Sequence, residues 1–308
     1  MGTDYANAVA VVRTLESRLF NRHDFDQLIN ARDGKEFETL INSKDSGNLT
    51  EVWEMLRGFA PDSKELEIML YQNDFHNLKA VLKAMISGRE PDKYIIKPSN
   101  IDTETLKKAF RSKDMDLLPA HMRDTAVEAY GILTTTLDGQ SADTYIDSEC
   151  LKAMRKSAEK SGNEFVMKYV EMVTVCADIK TAYRCSKMGK DRNFLETAIC
   201  GSSELDKETL IRVTLSGTEN LLNFLDGTQY YELSGLLREN PAKFEKRCDD
   251  LITEQVQTAQ FKAFGTEPLI AYYIAKETEI KNLRIIKVCR ECGADTETIM
   301  ERLRETYV

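Results

Sequence analysis

Three segments of the 308-residue chain align with one another without a gap: NLKAVLKAMISG from Asn77 to Gly88, DIKTAYRCSKMG from Asp178 to Gly189, and NLRIIKVCRECG from Asn282 to Gly293. Their starts lie 101 and 104 residues apart. Each opens on a polar residue, continues with Leu78, Ile179 or Leu283 and then a cation, Lys79, Lys180 or Arg284, and closes on glycine. Apolar residues three and four apart give each segment the period of a helix, and a terminal glycine suits the left-handed residue that stops one. Downstream of each glycine a second block recurs: Ile101-Asp102-Thr103-Glu104-Thr105-Leu106, Leu205-Asp206-Lys207-Glu208-Thr209-Leu210 and Ala294-Asp295-Thr296-Glu297-Thr298-Ile299. This block is a helix start. The aspartate caps free amides, the glutamate faces the positive end of the helix dipole, and the residue before the aspartate staples onto the apolar one five later. Gly88, Gly189, Gly293, Asp102, Asp206 and Asp295 are therefore assigned structural roles. The recurrence divides the chain into three similar units, expected at 1–113, 114–226 and 227–308. Connectors of unequal length run from Gly88 to Asp102, Gly189 to Asp206 and Gly293 to Asp295.

The rest of the chain has the same helical period. Only 15 glycines and 6 prolines occur in 308 residues, against an average usage of roughly 12%. Turns are scarce and long helices are expected. Clear breaks fall at Ser161 to Asn163 and at Phe264-Gly265-Thr266, the second leading into a long helix at Glu267-Pro268, where proline removes no intrahelical bond. Ile299, Leu303 and Tyr307 form one apolar stripe that predicts a terminal helix running through all three. Tyr94-Ile95-Ile96 is strand-like but too short to build a sheet. The fold class is all-α, and the three units could form a ring, a funnel or an open solenoid.

Lysine and arginine number 42 against 51 carboxylates, a net charge of −9. That balance gives no general attraction to phosphate backbones, so nucleic acid is not expected as a partner. A basic partner would suit it better. The longest apolar run, Leu269 to Ala275, is far short of the roughly 20 residues a spanning helix needs. The start of the chain lacks the pattern of an export signal and is expected to carry no leader. Gly2 is discounted as a myristoylation site because Ala6 stands where Ser or Thr is wanted. Seven scattered cysteines fit free thiols in a reducing cytoplasm, without structural disulfides.

No catalytic constellation emerges. His23, His76 and His121 lie in separate parts of the chain with no second ligand at helical spacing. Cys289 and Cys292 make a C-x-x-C, but no second pair completes a metal site, and the equivalents Ala84/Ser87 and Cys185/Met188 point to packing inside a helix interface. Gly189-Lys190 lacks the upstream glycine of a phosphate loop, so no nucleotide, metal or other cofactor is expected. Neighbouring acids such as Asp249/Asp250 and Glu277/Glu279 are ordinary among 51 carboxylates. There remain Lys79, Lys180 and Arg284, which around a threefold axis would make a ring of charge for a partner; intramolecular pairing is the alternative.

The stretch from Phe264 to Val308, with its E-P-L-I-A-Y, K-E-x-E-I-K-N-L-R and E-R-L-R-x-x-Y-V pieces, resembles the ending of the C subunit of archaeal and bacterial V-type (A/V-type) rotary ATPases, whose eukaryotic equivalent is the d subunit. Tyr5 to Phe20 and Ser161 to Ile199 resemble the same family. Cys289, Cys292 and Thr266 depart from its pattern. The resemblance implies an all-helical, funnel-shaped protein of three similar subdomains in the central stalk. There it would sit on the membrane proteolipid ring, receive the foot of the rotating axle and transmit torque for H⁺ or Na⁺ transport without catalysing anything. It implies a peripheral position on the cytoplasmic side of the membrane. Competing expectations are a soluble helical-repeat scaffold unrelated to rotary motors and a thiol or metal enzyme using Cys289 and Cys292.

Overall fold

A computed structural model describes residues 5–44, 48–60 and 63–308; Gly2 lies outside them. The helices are α1 Ala6–Glu16, α2 Arg22–Ile29, α3 Gly34–Ser43, α4 Leu49–Phe59, α5 Lys64–Met69, α6 Tyr71–Ser87, α7 Thr103–Ser112, α8 Arg123–Thr136 and α9 Gly139–Ser161. They continue with α10 Glu164–Met188, α11 Arg192–Ala198, α12 Lys207–Leu215, α13 Thr218–Asp226, α14 Tyr231–Glu239, α15 Pro241–Gln257, α16 Glu267–Glu291 and α17 Thr296–Arg302. Among the described residues there is no strand: the fold is all-α.

By contact the chain forms two compact units, 67–224 and 1–66 with 225–308. In the 67–224 unit α9 packs against α6, α8, α10 and α11, and α10 also meets α12. In the other unit α16 is the hub, touching α1, α2, α4, α15 and α17. The apolar run Leu269 to Ala275 is buried on every side of α16, which makes it a core element. Phe20, Phe25, Leu28, Phe37, Ile286, Cys289, Ile299 and Leu303 form one apolar cluster around its second half.

The breaks follow from local chemistry. Gly162 takes a left-handed φ of 65° after α9, and Asn163 starts α10 by accepting the amides of Phe165 and Val166. Proline enters α16 in its first turn, and the Thr266 hydroxyl before it donates to Glu65 at 2.7 Å. The three aligned segments lie on α6, α10 and α16, and each stops in the same way. Gly88, Gly189 and Gly293 have φ of 65°, 63° and 71°. The amide after each glycine closes the helix on the carbonyl five residues back: Arg89 to Ala84, Lys190 to Cys185 and Ala294 to Cys289, at 3.0, 3.1 and 2.9 Å.

Two expectations change. The terminal helix stops at Arg302 and does not reach Tyr307, yet Ile299, Leu303 and Tyr307 are all buried. Side chains make this possible by replacing the helix's own hydrogen bonds over the last residues. Glu305 N donates to Asp250 Oδ1 at 2.7 Å, Gln257 Nε2 to Thr306 O at 3.0 Å and Gln260 Nε2 to Tyr307 O at 2.7 Å. The second connector is also not a plain loop, because Asp191 caps α11 within it. Asp191 lies two residues after Gly189, as Asp295 lies two after Gly293, so the element matching α17 is α11 and not α12. The distance from the glycine stop fixes this register, and the shared D-x-E-T letters do not.

Nothing lies within 4 Å of a Cβ built on Gly189 or on Gly131 inside α8, so only backbone conformation separates the two sites. Gly189→Ala should cost about 1–2 kcal/mol, the left-handed penalty, whereas Gly131→Ala should gain about 0.5–1 kcal/mol. Urea denaturation midpoints read the opposite signs directly.

Candidate functional site

The residues singled out by the repeat occupy corresponding places on α6, α10 and α16. The first polar position is buried in every copy: Asn77, Asp178 and Asn282 are at most 1% exposed. Each binds the backbone of a segment returning after the helix. Asn77 donates to Ile96 O at 3.0 Å and accepts from Ile96 N at 2.8 Å, and strand-like Tyr94-Ile95-Ile96 forms no strand, Tyr94 closing a 3-10 turn that starts at Asp92. Asn282 makes the same pair of bonds with Arg304, at 3.0 and 2.9 Å. Asp178 accepts from the amides of Cys200 and Gly201 at 2.9 and 2.7 Å. Cys200 and Arg304 stand at the same offset from their glycines. A polar residue opening each segment is the mark these buried clamps leave in the sequence, but nothing adjacent to it says what it binds.

Asp102, Asp206 and Asp295 accept from the amides of Thr105, Thr209 and Thr298 at 2.9, 2.9 and 2.7 Å. Hydrogen bonds from those threonines hold the three carboxyls below their ordinary range. The residues before them and five later, Ile101 with Leu106 and Leu205 with Leu210, are buried. Ala84, Cys185 and Cys289, equivalent in the repeat, are buried as well, while Cys292 is exposed at the end of α16.

The three aligned cations are not alike. Lys79 is half-buried and forms an ion pair with Asp147 of α9 at 2.6 Å, Lys180 is half-buried on α10, and Arg284 is exposed on α16. Lys79 and Lys180 belong to the 67–224 unit and Arg284 to the other.

The remaining reactive residue types serve the fold. His23 contacts Gln27 at 3.0 Å, His76 contacts Tyr94 O at 2.9 Å, and His121 stacks on Tyr71 with centroids 4.1 Å apart. Asp249 holds Arg304 at 2.8 Å and also Lys281, while Asp250 holds Lys246 and the Glu305 amide. Glu279 is buried, accepting from Lys276 at 2.5 Å and from Phe20 N at 2.7 Å. All seven cysteines are free, and among the described residues no group of three or more His, Cys, Asp or Glu could hold a metal ion. Among them too, no helix is long and apolar enough to cross a membrane. What the arrangement offers is helix surface, charge and rigidly held connectors.

The profile of the ATP synthase (C/AC39) subunit family matches residues 8–302. The C subunit of the V-type sodium ATPase of Enterococcus hirae is 27% identical over 297 residues, covering 95% of this chain and 88% of that one. The C subunit of the A-type ATP synthase of Methanocaldococcus jannaschii is 24% identical, over 92% of this chain and 82% of its own length. The C subunit of the V-type ATP synthase of Thermus thermophilus is 22% identical, over 72% and 68%.

Burial pushes the carboxyls of Asp74 and Asp178 up to about 6, against the pull of the groups that donate to them. A folded-state value above the ordinary 3.8 means that the protonated form favours folding. That contribution is full below the ordinary value and is lost as pH rises through about 6. Asp178→Asn abolishes the titration and points an amide N–H at two backbone N–H groups. The variant should lose about 1–3 kcal/mol, and its deficit against the parent should narrow as pH rises from about 5 to about 8. Urea denaturation across that range measures both effects.

Proposed function

The chain belongs to the ATP synthase (C/AC39) subunit family, and we propose that it is a non-catalytic central-stalk (rotor) subunit of a V-type ATPase or ATP synthase. In this role it links the rotating axle to the membrane proteolipid ring and transmits torque for H⁺ or Na⁺ transport. The observation that carries the reading is the family match over 8–302, joined to relatives named as C subunits of V- and A-type enzymes along most of their length. A body of closely packed helices supports it physically, because a close-packed interior deforms little under load. Binding of the chain to the ring from the cytoplasmic side, without a span of its own, is part of the proposal. So is descent of the chain from three helical units at 1–113, 114–226 and 227–308, which the three glycine stops and buried clamps support.

Lys79, Lys180 and Arg284 enter the proposal as interface residues of unequal weight. The Lys79 ammonium already sits on Asp147 and has less to offer a partner, whereas Arg284 is exposed. A tagged chain purified gently from detergent-extracted membranes should bring proteolipid, axle and nucleotide-binding subunits with ATP hydrolysis, and the isolated chain should hydrolyse nothing. Recovery without those subunits, from cells that express them, overturns the reading. Reversing Lys180 and Arg284 together should weaken assembly about tenfold, or 1.4 kcal/mol, with helicity unchanged by circular dichroism. Unaltered assembly removes both from the interface.

A further inference from the structure

The stretch from Lys79 to Lys113 runs against the charge of the chain: it holds nine cations and four carboxylates, in a protein with a net charge of −9. All four carboxylates are engaged locally. Glu90, Asp92 and Glu104 surround the Lys107 ammonium at 3.4, 3.6 and 3.0 Å, and Asp102 caps α7. Lys79 and Lys83 pair with Asp147 and Asp143 of α9. The other six cations, Arg89, Lys93, Lys97, Lys108, Arg111 and Lys113, are exposed and make no ion pair among the described residues. Arg89 and Arg111 stand together around one hollow, and with the four carboxylates of the stretch already engaged they leave a basic site on an acidic protein.

The same surface is apolar in its relief. Met85, Ile86, Tyr94 and Ile96 are 37%, 41%, 59% and 39% exposed. Two open hollows, of about 330 and 380 Å³, flank the turn at Arg89 and Glu90. The first is lined by Val81, Ala84 and Met85 together with Arg89, Lys107 and Arg111. The second combines Ala80, Ala84 and Tyr94 with His76, Arg89 and the ion-paired Lys83 and Asp143. Exposed apolar groups rimmed by charge mark an interaction surface.

We propose that this face docks an acidic amphipathic segment of a partner protein, its carboxylates meeting Arg89 and Arg111 and its apolar side chains entering the two hollows. Charge complementarity fixes the sign of the partner. The hollows fix its class, since the exposed Met85 and Tyr94 on their walls offer contact to apolar side chains that a headgroup lacks. A layer of anionic headgroups would meet the cations and leave the hollows unfilled. The inference goes beyond the rotor reading and does not depend on which protein supplies the segment.

The test uses the full chain in its native membranes, with a benzophenone photocrosslinker placed at Met85 and the captured peptide sequenced by mass spectrometry. The expected product is a partner peptide richer in carboxylates than in cations around the crosslink. Its yield should fall at least tenfold in the Arg89→Glu/Arg111→Glu variant, and should also fall as salt is raised from about 50 to about 300 mM, where exposed charges are screened. A crosslinker at Tyr231, 66% exposed in the other unit, should give products that the double variant does not change, which controls for folding. Capture of a neutral or basic peptide, a lipid adduct, no adduct, or a yield indifferent to charge reversal overturns the proposal. An acidic partner outside a rotary ATPase would sink the rotor reading and leave this inference standing. Co-purified proteolipid and axle without the acidic crosslink would do the reverse.

Discussion

Every non-helical segment buried in an all-helical protein must find partners for its backbone amides and carbonyls, and among the described residues no sheet is present to supply them. In this chain buried side chains on long helices do so, three of them at the opening position of the aligned segments. Asn77 and Asn282 each satisfy both backbone groups of one returning residue, and Asp178 satisfies two amides. Each clamp ties the segment beyond a glycine stop to the helix it has just left, so the helix, the stop and the return become one unit. The last residues show how far this principle extends. Without intrahelical bonds after Arg302, the tail is held by Asn282, Asp250, Gln257 and Gln260, and Tyr307 reaches Glu16 at 3.0 Å. Arg13 completes the same node, binding Glu16 at 2.6 Å and the carbonyls of Ala259 and Lys262 at 2.6 and 2.7 Å.

Burying a carboxylate to make a clamp costs stability, and Asp178 differs in this from the two asparagines. An asparagine pairs with one residue's N–H and C=O and carries no charge to desolvate. An aspartate can accept two amides, which the turn at Cys200 and Gly201 requires, and it keeps a pKa raised by burial in exchange. The choice of side chain at one repeat position therefore follows from the backbone it must satisfy.

Much of this was legible in the sequence, and the omissions have physical causes. The all-α class, the long helix at Glu267, the glycine stops and the aspartate caps depend on local geometry, which a few adjacent residues specify. The end of α17 depends on side chains from α15 and α16, so the stripe Ile299, Leu303, Tyr307 gave the burial correctly and the helix wrongly. The match of Asp191 with Asp295 was hidden because D-x-E-T at Asp206 has the more similar letters, while the fold counts residues from the glycine. The pairing of Lys79 with Asp147 spans 68 residues, and no local pattern announces a contact at that distance.

Charge is the property that the repeat does not repeat. In the second copy Lys190 lies over the Phe194 ring at 4.4 Å, Arg192 pairs with Glu196 and Glu208 at 2.8 and 2.6 Å, and Lys207 donates to Glu196 O at 2.6 Å. In the third, Arg290 donates to the carbonyls of Ile29 and Ala31 at 2.5 and 2.7 Å, and Arg304 binds Asp249. The first copy instead leaves six cations, from its connector, α7 and the residue after α7, facing solvent. Glycine stops and buried clamps recur in the three aligned segments, and the surfaces around them are free to differ without disturbing those bonds. Surfaces that differ while the framework stays alike are where the three segments can acquire different contacts.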